Sequence, residues 1–497
     1  MKNSSVLKNF SIIILSLSAF SVKAETVYWV GGGPWSDGNT SAWNSAGSWS
    51  SGTVPNETSD IIFDKNYLTG YAGAYLGSDL YIKINNLKID SNYGSFHVRQ
   101  GTNSVFEITG DFIKENTSET LFCYTSNNPS SAPILKIDGN LQVGTADYVG
   151  TGASILTIGA NRDSSISGWG GPKTLTINGN IDLYNTCQLK LNVGTTTTTY
   201  DTLDPAVYIG GVINMHRGTG EMQGRNPTLY LINRSDKAPA GTTTVISCNG
   251  VSGEGVITTS IGSEAVASKP ILHLRNSEDQ NFFGWLTGSQ YASSKIIMEG
   301  IATQTFSGAK IAWTGGIEVR SGTLLITGRA TESGSNVNHG DLDMLGGQFG
   351  ILAGSASTST QGVFWMNNLN YTSGDILLNV NTSTSDMIKL DGTIIDKGFS
   401  DGVNFILSGN LDLLVDNFVK IVEWGTISEI ADSDYHANKY GDLNAVFDSR
   451  DDGLYVMYTA VPEPATFAAF FWNNCIGDCR HKEKKLIFLF AAQRIKK

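Results

Sequence analysis

Several sets of residues in the 497-residue sequence have the types and spacing to do chemistry. Gly398-Phe399-Ser400-Asp401-Gly402 satisfies G-x-S-x-G, the spacing of a nucleophile elbow, which exposes a serine between a strand and a helix. The residues that follow, Val403 to Leu407, alternate like a strand, so the segment reads as a polar turn. Asp451-Asp452 is an acidic pair, but glycoside hydrolysis needs two carboxylates roughly 5–9.5 Å apart across the scissile bond. Adjacency alone does not supply that span. His436 lies among Asp432, Asp434 and Tyr435 and reads as a solvated surface residue. Cys475-x3-Cys479-x-His481 is zinc-like in spacing, yet it offers three ligands where a structural zinc takes four. Cys123, Cys187 and Cys248 are widely spaced, with no C-x-x-C and no close histidine; one long-range disulfide or buried free thiols would both fit. No calcium-binding nonapeptide array, EF-hand loop or phosphate-cradling glycine loop occurs. The expectation is no catalytic residue, no metal and no cofactor.

The tryptophans are the other chemical signal. Trp29, Trp35, Trp43 and Trp49 fall within 21 residues, among Gly31, Gly32, Gly33, Gly38 and Gly47. Gly52-Thr53-Val54-Pro55-Asn56 and Asp60-Ile61-Ile62-Phe63-Asp64 follow. The layout is similar to the opening segment of many secreted repeat proteins. Indole faces stack on pyranose rings, which suggests a glycan contact. They also cover an open first rung, and the cap is the preferred reading because every solenoid must close its end. A resemblance to the polygalacturonase-like family fails on order: His339-Gly340 precedes Asp451-Asp452, and Arg494-Ile495-Lys496 lies at the far end.

The elements that must position these residues are strands. Charged residues are 16% of the chain against a usual ~25%, and glycine numbers 56. Hydrophobic residues at 40% exclude general disorder. A seven-residue phrase recurs, apolar-x-apolar-x-Gly-(Asp/Asn)-apolar. It runs from Phe106 through Gly110-Asp111 to Phe112, from Leu135 through Gly139-Asn140 to Leu141, and from Leu175 through Gly179-Asn180 to Ile181. Looser copies span Ile388 to Ile394 and Phe405 to Leu411. Alternation sends one face inward, and Gly with Asn or Asp supplies a turn where φ can be positive. Strand, turn, strand at intervals of roughly 30–40 residues predicts an all-β fold, a right-handed parallel β-helix (β-solenoid) with N- and C-terminal caps. A run of β-sandwiches is the alternative.

Ser307-Gly308 and Trp313-Thr314-Gly315-Gly316-Ile317-Glu318-Val319-Arg320-Ser321-Gly322-Thr323-Leu324-Leu325-Ile326 resemble the autotransporter-associated β-strand repeat, with a degenerate successor from Asp343 to Ile351. The resemblance covers about 20 residues and implies a β-solenoid passenger on a bacterial surface. The translocator barrel usual in that family is not recognisable.

The ends bear on location. Lys2 and Lys8, the apolar run Phe10 to Phe20, and Val22-Lys23-Ala24 read as a signal peptide. Val461-Pro462-Glu463-Pro464-Ala465-Thr466 resembles the PEP-CTERM sorting signal of Gram-negative bacteria. That resemblance implies an exosortase-type sorting enzyme as a partner that recognises Pro462, Glu463 and Pro464. The apolar stretch such a signal requires breaks after Phe471. One choice of synonymous codons, shifted by one base, restores roughly 17 mostly apolar residues before a basic cluster, so a frameshift is expected there.

Of the net charge of −12, residues 1–24 contribute +3 and 472–497 contribute +5, leaving −20 on 25–471. Such a field repels phosphate backbones and excludes nucleic acid as a partner. The expected organisation is a signal peptide (1–24), a Trp/Gly-rich cap (25–68), β-solenoid repeats (69–400), C-terminal strands that close the stack (401–460) and the sorting signal (461–497), frameshifted after 471. The expected function is that of an exported, non-catalytic surface or matrix protein with a structural or adhesive role, cell-surface or extracellular. The alternative is a carbohydrate-active or glycan-binding protein, with extracellular polysaccharide as the partner.

Overall fold

Copies of the recurring phrase lie over one another in register. The computed structural model describes residues 24–31, 40–70, 72–124, 133–147, 153–159, 173–193, 206–218, 226–232, 243–259, 269–287, 294–307, 310–311, 313, 315–327, 340–352, 362–380 and 385–460. Among the described residues there is no α-helix; helical turns are short 3₁₀ segments such as Lys65–Tyr67 and Leu411–Leu414. The chain forms two compact units. One comprises Met1–Gly194, Val207–Gly210 and Gly218–Arg225, the other Thr195–Ala206, Gly211–Arg217 and Asn226–Lys497.

The first unit has three parallel ladders. One joins Tyr81–Ile84, Val105–Ile108, Ile134–Ile137, Thr174–Ile177 and Val207–Ile209. A second joins Glu25–Tyr28, Ser59–Phe63, Leu87–Ile89, Phe112–Lys114, Leu141–Val143 and Ile181–Tyr184. The third joins Thr40–Ala42, Gly73–Leu76, Phe96–Gln100, Glu119–Tyr124, Ile155–Ile158 and Gln188–Asn192. Three consecutive strands, one on each ladder, make a coil, and each further coil adds a strand to every ladder. This is a parallel β-helix.

Alternation fills its interior. Phe106, Leu135 and Leu175 form one column, Ile108, Ile137 and Ile177 a second, and Phe112, Leu141 and Ile181 a third, all fully buried. Truncating one such side chain to alanine typically costs about 2–5 kcal/mol.

The Gly-(Asp/Asn) corners stack as well, through a side-chain ladder. Asn86 Oδ1 accepts the Asp111 N–H at 2.7 Å, Asp111 Oδ1 accepts the Asn140 N–H at 2.7 Å, and Asn140 Oδ1 accepts the Asn180 N–H at 2.8 Å. These partners lie 25, 29 and 40 residues apart, so the coils differ in length while the corner stays constant. The corner glycines are not at positive φ, contrary to the expectation from sequence. They are required by close approach instead: a Cβ on Gly139 would stand 2.4 Å from the Gly110 carbonyl oxygen, and one on Gly179 2.5 Å from that of Gly139.

The second unit is built on the same plan. Thr243–Cys248, Lys269–Leu274, Lys295–Phe306, Ile317–Thr327, Leu342–Met344, Leu369–Tyr371 and Ile394–Asp396 pair in parallel. Gln348–Leu352, Asp375–Val380, Val403–Gly409 and Tyr435–Ala437 continue a second ladder from Ile317–Thr327. The stretch around Gly322 and its degenerate successor are consecutive coils, with Glu318 paired to Asp343 and Leu324 to Phe349. Here the glycines do adopt positive φ: Gly322, Gly347 and Gly374 sit at +70°, +63° and +109°.

Of the looser phrase copies, Ile388, Leu390 and Ile394 are buried as expected. The Phe405 copy departs from the pattern: after Gly409 the chain enters the 3₁₀ turn Leu411–Leu414 instead of a second strand. Val363–Met366, Met387–Leu390 and Val419–Trp424 run parallel, and the antiparallel hairpin Leu443–Arg450 with Gly453–Ala460 then ends that ladder. No antiparallel sandwich forms among the described strands.

Candidate functional site

The described N-terminal tryptophans point inward. Trp29, Trp43 and Trp49 are 0%, 0% and 2% exposed, with ring centroids 4.7–6.1 Å apart. Phe63 and Phe106 complete the cluster, and Trp49 Nε1 donates to the Trp43 carbonyl at 2.7 Å. A ring with both faces packed offers none to a sugar. Trp35 lies outside the described residues, as do residues 1–23, Pro462, Glu463, Pro464 and the Cys475-Cys479-His481 group. Among the described residues the exposed aromatics include Tyr81 at 62%, Trp285 at 55%, Phe283 at 48% and Tyr67 at 42%.

Lys114 is the first unexpected group. Its strand, Phe112–Lys114, places it in an interior column between Ile89 and Val143, and it is fully buried. Its Nζ donates to the Asn116 carbonyl at 2.8 Å, the Ser118 carbonyl at 2.9 Å and Ser154 Oγ at 2.7 Å. No carboxylate is among these three acceptors. Burial pulls the amine down from 10.5 to about 7. Cys187 lies one coil beyond Ser154, its neighbour Gln188 donating its N–H to the Ser154 carbonyl at 2.8 Å, and burial pushes its thiol up to about 11. Ser154 and Cys187 are each 2% exposed. Amine, hydroxyl and thiol thus lie buried on three successive coils. Cys123, Cys187 and Cys248 are all free and buried, so the disulfide alternative does not hold for them.

A second constellation lies on strands of the second unit. Ser247 Oγ is 3.4 Å from His273 Nδ1, and His273 Nε2 is 3.0 Å from Glu299 Oε2. The order nucleophile, base, carboxylate is that of a hydrolytic triad. Its setting is not. Ser247 is 2% exposed and sits mid-strand, where backbone N–H groups lie in the sheet plane and cannot converge on an oxyanion. Burial holds His273 below its ordinary value, with Glu299 opposing and Arg275 and Arg320 reinforcing, which favours the neutral ring.

The row continues as an ion ladder. Arg320 bonds Glu299 at 3.3 Å and also pairs with Glu318; Lys295 holds Glu318 at 2.6 Å and Asp343 at 3.1 Å. Burial disfavours the Lys295 ammonium, but Glu318 and Asp343 outweigh it and hold the group above its ordinary range. The first unit carries an equivalent row, in which Glu57, Lys83, Glu107, Lys136 and Asp138 pair in turn.

The remaining sequence candidates are dispersed. Ser400 is exposed in a turn, with Asp396 Oδ1 accepting the Gly398 and Phe399 N–H groups, and a strand follows it instead of the helix an elbow needs. His436 is exposed. Asp452 is held by Lys420 at 2.6 Å and by the Tyr455 hydroxyl. No group of three or more metal-ligating side chains occurs among the described residues. Comparison with family models, with curated proteins and with solved structures finds no match for this chain.

Proposed function

We infer that the protein is an exported β-solenoid with a structural or adhesive role at a bacterial surface or in its matrix. The observation that carries this reading is the construction of the coils. Their interiors are filled by stacked apolar columns, and their outward residues are spent on one another in ion ladders. Such a stack is self-supporting and lengthens by adding coils. The signal-like residues 1–24 and the Pro462-Glu463-Pro464 box supply the route of export and sorting, with an exosortase-type enzyme as partner.

Expression in a Gram-negative host that carries such an enzyme tests the route. The expected product starts near Glu25 and is sorted, and Glu463→Ala blocks sorting without blocking export. A cytoplasmic product with residues 1–24 attached overturns the reading. The nucleotides across codon 472 test the frameshift separately, which fails if no one-base shift opens an apolar frame.

Glycan binding is a second reading, favoured by the half-exposed Phe283 and Trp285 in place of the buried N-terminal indoles. Loss of polysaccharide retention in Trp285→Ala would support it. Retention by neither the parent nor the variant would remove it.

A further inference from the structure

The buried Lys114, Ser154 and Cys187 group does work that a packed column does not require. Ile89 and Val143, the neighbours of Lys114 in register, show that an aliphatic side chain suits this position. A lysine here orders four methylenes and buries an amine, and its stem brings that amine to the Ser154 hydroxyl, whose residue adjoins Cys187 in the next coil. Gly144, at φ +81°, leaves the room the sulfur occupies: a Cβ there would stand 2.1 Å from Cys187 Sγ.

We propose that Lys114 and Cys187 are the two halves of an oxidative cross-link, an S–N bond formed when a peroxide reaches the thiol. In the first step the Cys187 sulfur attacks one oxygen of hydrogen peroxide and the O–O bond breaks. The sulfur is oxidised by two electrons to a sulfenic acid, and one water leaves. In the second step the Lys114 nitrogen, unprotonated, attacks that sulfur. The S–O bond breaks, and the hydroxyl departs as a second water with a proton from nitrogen. The sum is thiol, amine and hydrogen peroxide giving the sulfenamide and two waters.

The three residues have distinct parts. Ser154 accepts from the amine and holds it in the interior beside the coil of Cys187. Burial keeps bulk water and larger thiols from intercepting the sulfenic acid. One equivalent of a small dithiol, or two of a monothiol, would return amine and thiol and leave as the disulfide. The product ties the coil of Phe112–Lys114 to the coil two further on, which carries Ile181–Tyr184 and Cys187.

The test uses the full chain, hydrogen peroxide and peptide mass spectrometry without reductant. The expected result is a peptide pair joined through Lys114 and Cys187, lighter than the sum of its parts by two hydrogens. It should be abolished in Lys114→Arg and reversed by dithiothreitol. Cys123 and Cys248, equally buried in the same molecule, serve as internal controls and should form no lysine link. The yield should rise with pH through 7. Recovery of Cys187 as free thiol, sulfinic acid or a disulfide, with Lys114 unlinked in the folded parent protein, overturns the proposal whether or not the variant folds.

Discussion

Lys114 gives the first unit a pH dependence that can be worked out before it is measured. The amine sits at about 7 in the folded chain and near its ordinary 10.5 when unfolded. Between those values the unfolded chain holds a proton that the native chain has released, so stability must rise with pH. The whole difference corresponds to about 5 kcal/mol, at ~1.36 kcal/mol per pKa unit, and the part gained between pH 7 and 9 is about 2 kcal/mol. The three oxygens around Nζ also favour the ammonium, which makes these upper figures. Above pH 9 the gain is cancelled. Cys187, raised to about 11, keeps its proton in the native state after the unfolded thiol has lost it. The informative window is therefore pH 7 to 9. Urea unfolding, followed by hydrogen exchange of the peptide that contains Phe112–Lys114, should show the rise in the parent protein and a flat profile in Lys114→Met. Methionine fits the column but leaves the Asn116 and Ser118 carbonyls without their donor, at a cost of about 1–3 kcal/mol. That cost shifts the curve and not its slope. Equal slopes in parent and variant would refute the reasoning.

Other expected outcomes rest on single positions. Asp386 is buried, with Oδ2 accepting the Asn379 N–H at 2.9 Å and Oδ1 unpartnered; burial raises the carboxyl to about 6. A raised acid weakens the fold as pH rises from about 4 to 6, so Asp386→Asn should raise the unfolding free energy from urea titration at pH 7 by at most about 3 kcal/mol and leave it unchanged near pH 4. Trp43→Ala removes a fully buried ring from the first coils and should cost about 3–5 kcal/mol, measured by thermal unfolding. Gly347→Ala places a Cβ 2.6 Å from the Gly322 carbonyl oxygen at φ +63°, and a loss of more than about 1–3 kcal/mol is expected in the second unit. A neutral result there would mean that the Gly322, Gly347 and Gly374 corners can shift without cost.

The parts of the fold that were readable from sequence are those with a fixed local period. The alternation in Leu135-Lys136-Ile137 and the Gly-Asn that follows specify an inward face and a corner without reference to any other coil. Distances between coils carry no such period. Lys114 and Ser154 are 40 residues apart, whereas Asp111 and Asn140, at the neighbouring corner, are 29 apart. No spacing rule joins the amine to its hydroxyl. The Ser247, His273 and Glu299 row is the exception, since each step is 26 residues and regular enough to be found by counting. The glycines were located correctly but for an incomplete reason. Sequence suggests torsional freedom, and at Gly139 and Gly179 the constraint is the carbonyl of the coil beside them.

This difference indicates where chemistry in a solenoid of this kind should be sought. An interior column repeats one requirement, an apolar side chain of fitting volume, so any polar member is unexplained by the column itself. Lys114 could be flagged from one line of sequence, because Phe112-Ile113-Lys114 assigns it the same inward parity as Phe112. Outward rows impose the opposite requirement and accept charge freely, which is why the Lys295 and Glu318 pair, at 2.6 Å, carries less functional information than one uncompensated amine inside. A polar residue of inward parity is thus the stronger signal, and its partners come into view only when the coils are stacked.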